Sequence, residues 1–310
     1  MINSHVSSFA GLPVLPFTPG APLPADPSAV AWRLEVEEFD ADPAEFAGLL
    51  AAMLDEVPAE AVRAVVVGEW GEAYERPLPV DVLVDAARRW TGLRALFLAD
   101  LVAEQCEISW LTHGDVTPLL AACPALEVLG IRGAQGLRLE PVRHTGLREL
   151  RIESGGLPGT VVRAVGECDL PALHRLDLWL GVADYGGDAS VDDLAAVLAG
   201  DRLPALRHLA LCNAEHADAI AAAVADAPVV DRLDVLDLSM GVLGDTGAAA
   251  LLAGRPLTHL RRLDLHHHFL SDEVAASVVA ALPGVEVDVS DPQTADKHDG
   301  RFYYFTAVGE

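Results

Sequence analysis

Residues 233–265 read LDVLDLSMGVLGDTGAAALLAGRPLTHLRRLDL. The stretch opens with Leu233, Leu236 and Leu238 in an L-x-x-L-x-L pattern and passes through an alanine-rich helix-forming run. It then repeats the pattern at Leu260, Leu263 and Leu265, 27 residues on. Side chains alternate along a strand, so the last two leucines of each triplet share one face and Asp237 or Asp264 lies between them on the other. One short strand and one helix per period cannot bury their own apolar face. The unit needs stacked neighbours, so the rest of the chain should be built of more such units.

Further copies lie on either side. Strand cores are expected at Val62-Val65-Val67, Leu93-Leu96-Leu98, Leu126-Leu129-Ile131, Leu147-Leu150-Ile152, Leu173-Leu176-Leu178 and Leu206-Leu209-Leu211, with a last one at Leu282-Val285-Val287. From Leu93 onward the intervals are 33, 21, 26, 33, 27, 27 and 22 residues, and the longer ones carry loop insertions. A first strand is expected over 31–39, with Glu35 beside Val66, and an amphipathic helix over 43–57 with Pro43 in its first turn. Helices are also expected over 191–200, 216–228 and 272–284, with Gly200 and Gly254 as left-handed C-caps.

A strand–helix period in the twenties with this leucine spacing is the mark of a leucine-rich repeat. The expected fold class is α/β: a right-handed leucine-rich-repeat solenoid, a horseshoe with a parallel concave sheet of about nine or ten strands and convex helices. A single domain over 1–310 is expected. It would comprise a proline-rich arm or cap (1–30), the repeats (31–290) and a C-terminal cap (291–310), in which Phe302 to Phe305 cover the last strand. The repeats are similar to those of ribonuclease-inhibitor-type proteins, with one departure. The position eight after the first leucine, usually Asn, is Leu101, Ala134, Gly155, Gly181, Ala214, Gly241 and His268.

Three stretches, CEISW (106–110), LWLGVADYGGDASVDDLAAVLAG (178–200) and LTHLRRLDLHHH (257–268), resemble an uncharacterised family of bacterial leucine-rich-repeat proteins over nearly the full length. The resemblance implies a genomic association with radical-SAM-type enzymes and no established activity.

Composition narrows the function classes. Against 47 acidic residues stand 21 basic ones, a formal net charge of −26. That opposes nucleic acid and anionic membrane, which need clustered cations. Cys106, Cys123, Cys168 and Cys212 form no C-x-x-C pair and are expected as reduced thiols. The first residues lack a basic start and a long apolar run, and no 18 uninterrupted apolar residues occur, so a cytoplasmic location is expected. There is no P-loop, nucleophile elbow or H-E-x-x-H motif, and no cofactor is expected. Ser109 and His113 lack an orienting partner, and Asp184 to Asp188 read as a turn and helix cap.

Candidate sites follow from the alternation. Ala64, Val66, Ala95, Phe97, Ala99 and Val128 form an apolar patch on the concave face, so either a partner or the chain's own proline-rich arm covers it. Trp70, Tyr74, Glu107, Trp110, Trp179 and Tyr185 lie in loops that leave one end of successive strands. With Phe97 they are the expected contact residues for a protein partner, since aromatics on long loops are favoured anchors. The expected function is a non-catalytic scaffold or adaptor for an unknown protein partner. The alternative is a metal- or small-molecule-dependent accessory enzyme using Asp237, Asp264 and His266. Those three are weak metal candidates, because ligands on a flat sheet do not surround a point.

Overall fold

A computed structural model describes residues 2–309. These fall into two compact units, residues 2–153 and 154–309. The chain is α/β, with eight α-helices among the described residues and mostly parallel strands. None of the helices is long and apolar enough to cross a membrane.

In the first unit the strands are β1 (Ser8–Phe9), β2 (Leu12–Pro16), β3 (Ala31–Leu34), β4 (Ala64–Val67), β5 (Ala95–Leu98), β6 (Val128–Arg132) and β7 (Glu149–Glu153). Strands β2 to β7 pair in parallel, each with the next. Between them run α1 (Pro43–Glu56), α2 (Val80–Arg89) and α3 (Thr117–Ala122). Helix α1 begins where Asp42 and Glu45 form a reciprocal capping box. It buries Phe46, Leu50 and Met53. Leu96, Leu98, Leu129 and Ile131 are at most 1% exposed. Each such side chain contributes roughly 1.5–3 kcal/mol by leaving water.

The proline-rich arm is more ordered than its composition suggests. Ala10 and Gly11 both have positive φ, which closes β1 and β2 into a tight hairpin. Strand β1 is antiparallel to β2, and β2 then pairs in parallel with β3. Prolines are tolerated here because β2 lies at the margin of the ladder.

The second unit contains α4 (Gly159–Glu167), β8 (Arg175–Gly181), α5 (Ala195–Ala199), β9 (His208–Ala214), α6 (Ala217–Ala225), β10 (Val235–Asp237) and α7 (Asp245–Ala253). It continues with β11 (Arg262–Asp264), α8 (Asp272–Ala281) and β12 (Glu286–Asp288), and ends in the hairpin β13 (Asp296–His298) and β14 (Arg301–Tyr303). Strands β8 to β12 are parallel and in sequence order. Leu236 pairs with Leu263 and Asp237 with Asp264, as the spacing predicts. Leu236, Leu238, Leu263 and Leu265 are all buried.

Two strands sit two residues from their expected register. Arg33, not Glu35, pairs with Val66, and Asp288, not Glu286, pairs with Asp264. A shift of two keeps every side chain on its face, so alternation alone cannot detect it. Gly200 caps α5 with φ 72°, as expected, but Gly254 has φ −86°. Its requirement is space: a Cβ there would lie 2.4 Å from the Ala225 carbonyl oxygen. His268, eight residues after Leu260, bonds the backbone of the turn that follows β11. It is buried, its Nε2 donates to the Val289 carbonyl (3.0 Å), and its Nδ1 accepts from the Leu270 amide (3.1 Å). All four cysteines are free thiols, and three of them are buried.

Candidate functional site

The apolar patch of the first unit is covered by the chain itself. Ala31, Ala64, Val66, Ala95 and Phe97 are buried beneath Val6, Phe9, Leu12 and Val14 of the arm, with Val128 alongside. The Phe9 and Phe97 rings meet edge to face at 5.6 Å. Gly130, beside Phe97 in the ladder, has no side chain to contest the space; a Cβ would lie 2.5 Å from the ring. Phe97 is therefore core, not an exposed partner anchor. Of the two possible covers for the patch, the arm is the one present.

A buried carboxylate fastens the arm. Asp100 is fully buried and bonds to the Arg33 guanidinium; its Oδ1 accepts from Arg132 Nη1 at 2.7 Å and its Oδ2 from the Val6 amide at 3.1 Å. His5 Nδ1 lies 2.9 Å from Arg33 Nη2. Arg132 reaches on to Glu153 (2.8 Å), which also pairs with Arg151 (2.8 Å). Buried charges persist only when paired in this way.

The loop aromatics of this unit divide by burial. Trp70 is only 3% exposed, and its Nε1 donates to the Arg76 carbonyl at 3.0 Å. It fills the core of its own loop, and the expectation of an exposed contact there is corrected. Buried Glu69 accepts from the amides of Trp70, Gly71 and Ala73 and closes the turn. Burial nevertheless pushes its pKa up. Tyr74 and Trp110 are 40% and 51% exposed. The Thr112 hydroxyl donates to the Tyr74 carbonyl (2.9 Å) and lies 3.4 Å from that of Trp110, so it joins the two segments. Phe39, unmarked by any motif, is 50% exposed and stacks on Tyr74 at 5.5 Å with planes 11° apart. Glu107 is half-buried at the start of the turn that carries Trp110.

His113 packs 6.3 Å from Trp70, and its Nε2 donates to the Arg132 carbonyl at 2.7 Å. Burial lowers its pKa from 6.5 to about 4. The unfolded imidazole takes up its proton near pH 6.5, so below that pH the unfolded state binds more protons and stability falls. The melting midpoint is expected to decline as the pH drops from about 6.5 towards 4, and His113→Gln to flatten part of that decline. Equal slopes for the two proteins would contradict the assignment.

In the second unit Trp179 is 6% exposed, a buried residue whose carbonyl accepts from the Ser154 hydroxyl at 2.9 Å. It too is corrected from rim anchor to packing residue. Tyr185 is half-buried. Asp237 and Asp264 are ladder neighbours, but their oxygens serve the fold. Asp264 pairs with Arg262 (2.7 Å) and with His266 Nδ1 (2.8 Å), while Asp237 accepts from the Ser239 amide at 3.0 Å. Burial raises the Asp237 pKa and lowers that of His208 to about 4. Among the described residues no group of three or more His, Cys, Asp or Glu side chains is placed to hold a metal ion.

The C-terminal aromatics do not act as a buried cap. Phe302, Tyr303, Tyr304 and Phe305 are 60%, 41%, 55% and 59% exposed. The residues after them dock instead. The Ala307 amide donates to the Met240 carbonyl (2.9 Å), and the Val308 amide to Asn213 Oδ1 (2.9 Å). Asn213 has φ 56° and is fully buried. A lone Asn at a strand end, where the other repeats lack one, was the signal available in the sequence for this contact.

No protein-family model matches the chain, and no curated protein matches it. Among solved structures it is similar to TLR13 in its complex with ssRNA13, at 15% identity and a TM-score of 0.39, over 79% of this chain and 35% of that one. It is also similar to a structural-genomics target protein from Bacteroides fragilis, with a TM-score of 0.78 and 30% identity. That match covers 90% of this chain and 77% of the other, and the chain belongs to one family with the Bacteroides fragilis protein.

Proposed function

We propose that the chain is a leucine-rich-repeat solenoid that serves as a non-catalytic, cytoplasmic scaffold for a protein partner. Its repeating strand–helix units and in-register leucines support the architecture. Four free thiols suit a reducing compartment. The observation that carries the function is the exposed aromatic surface of Phe39, Tyr74 and Trp110 in the first unit. The Phe39–Tyr74 stack holds both rings in place, so little side-chain freedom remains to be lost on docking. Flat, rigid aromatics of this kind are the usual anchors of protein interfaces.

Affinity capture from native lysate tests the reading. Trp110→Ala is expected to weaken recovery of a stoichiometric partner by about 2 kcal/mol or more, the usual hot-spot loss. The melting temperature should barely move, because half of the ring is already in solvent. Unchanged recovery with a large thermal loss would show that the ring only packs its loop.

A further inference from the structure

We propose that a second surface, on residues 154–309, binds an arginine-bearing peptide segment. The site is a cleft of about 670 Å³ between the start of α6, the loop before α7 and the β13–β14 hairpin. One wall is aromatic: Phe269, Phe302 and Tyr304. The other is acidic: Glu215, Asp218 and Asp245. Phe269 and Tyr304 meet edge to face at 5.0 Å with planes 71° apart, a contact that holds both rings on the same side of the cleft. The Phe302 face already holds a cation of this chain, the Lys297 ammonium at 5.6 Å from the ring centre. The three carboxylates are oriented by backbone amides and not by cations. Asp218 accepts from Gly244 (2.7 Å), Asp245 from Ser271 (2.8 Å) and Glu215 from Ala183 (2.9 Å). Among the described residues no Lys or Arg lines the cleft. On the strands of the same unit, by contrast, Asp264, Glu286 and Asp288 all pair with Arg262.

These features select one ligand chemistry. An apolar segment would cover the rings but desolvate three carboxylates that have no cationic partner, and an anion would be repelled. A guanidinium satisfies both walls, because its plane stacks on a ring while its N–H groups fork onto a carboxylate. The net charge of −26 draws cationic ligands towards the protein. Its openness to solvent, with Glu215, Asp245, Phe302 and Tyr304 all exposed, suits a peptide laid across it.

The test is fluorescence anisotropy of the full chain with a labelled Gly-Arg-Gly-Arg-Gly peptide at about physiological ionic strength, beside the same peptide with Ala for Arg. Saturable binding of the arginine peptide alone is expected. Tyr304→Ala and Asp218→Asn should each weaken it about tenfold or more, and Tyr304→Phe should retain it. Phe302→Ala, at an exposed ring, serves if either of the first two variants misfolds. Trp110→Ala should leave this binding unchanged, which separates the cleft from the surface on the first unit. Binding indifferent to Tyr304→Ala and Phe302→Ala would reduce the effect to diffuse charge and overturn the site. So would a dimer in sedimentation that Tyr304→Ala dissociates, since a second copy would then be the occupant.

Discussion

Asp100→Ala is expected to destabilise the first unit by about 3–5 kcal/mol, the usual cost of removing one partner from a buried ion pair. The carboxylate is fully buried, and the Arg33 and Arg132 side chains that flank it are 6% and 5% exposed. Its removal leaves two buried guanidiniums, neither of which can lose its proton, with only Glu35 beside Arg33 and Glu153 beside Arg132 as counter-charges. The arm loses a fastening as well, because the Val6 amide bonds to the same group. At about 2–4 °C per kcal/mol for a unit of this size, the melting midpoint should fall by roughly 10 °C. Asp100→Asn keeps the shape and one accepting oxygen but loses the charge, so it should fall between Asp100→Ala and the parent. A midpoint for Asp100→Ala within about 1 °C of the parent would mean that the network is not formed in solution.

Phe97→Ala should cost about 3–5 kcal/mol, as large-to-small changes at buried rings do. The ring is 3% exposed, meets Phe9 at 5.6 Å and lies 5.4 Å below the Arg132 guanidinium. The void would open between sheet and hairpin, so the arm should loosen before the rest of the unit. Limited proteolysis should cut the variant within residues 2–24 under conditions that spare the parent. A cost below about 1 kcal/mol with an intact arm would show that the hairpin is not seated on this face.

The central repeats were legible because period-two alternation and leucine spacing act together. Val65, Leu96, Leu129 and Leu150 pair as the pattern places them. At β3 and β12 the apolar alternation runs past the strand, and a slip of two residues preserves it. The neighbouring strand decides the register there. The apolar patch was legible as a covered surface, but composition cannot say what covers it. That depended on a hairpin turn at Ala10–Gly11 and on Asp100, which belongs to no motif. Trp70 and Trp179 look like Trp110 in sequence. Only packing separates a ring that fills its loop from one that faces water. Tyr74 shares its loop with Trp70 and is marked by that pairing, whereas Phe39, a lone phenylalanine beside a strand, carries no pattern until its stacking partner is known. The 302–305 aromatics matched a cap in composition, yet Val308 takes the buried position.

The bonds of His5 to Asp100 and of Asn213 to Val308 each join residues 95 positions apart. During synthesis at about 5–20 residues per second, each pair is separated by roughly 5–20 s. The order differs between the two. The arm leaves the ribosome before its seat, so the apolar face of β4 and β5 meets a cover that is already waiting. Asn213 leaves before its strap, and water must hydrate its amide until Val308 arrives. Nascent residues 2–153 can therefore close in step with translation, whereas the Asn213 contact is a late event.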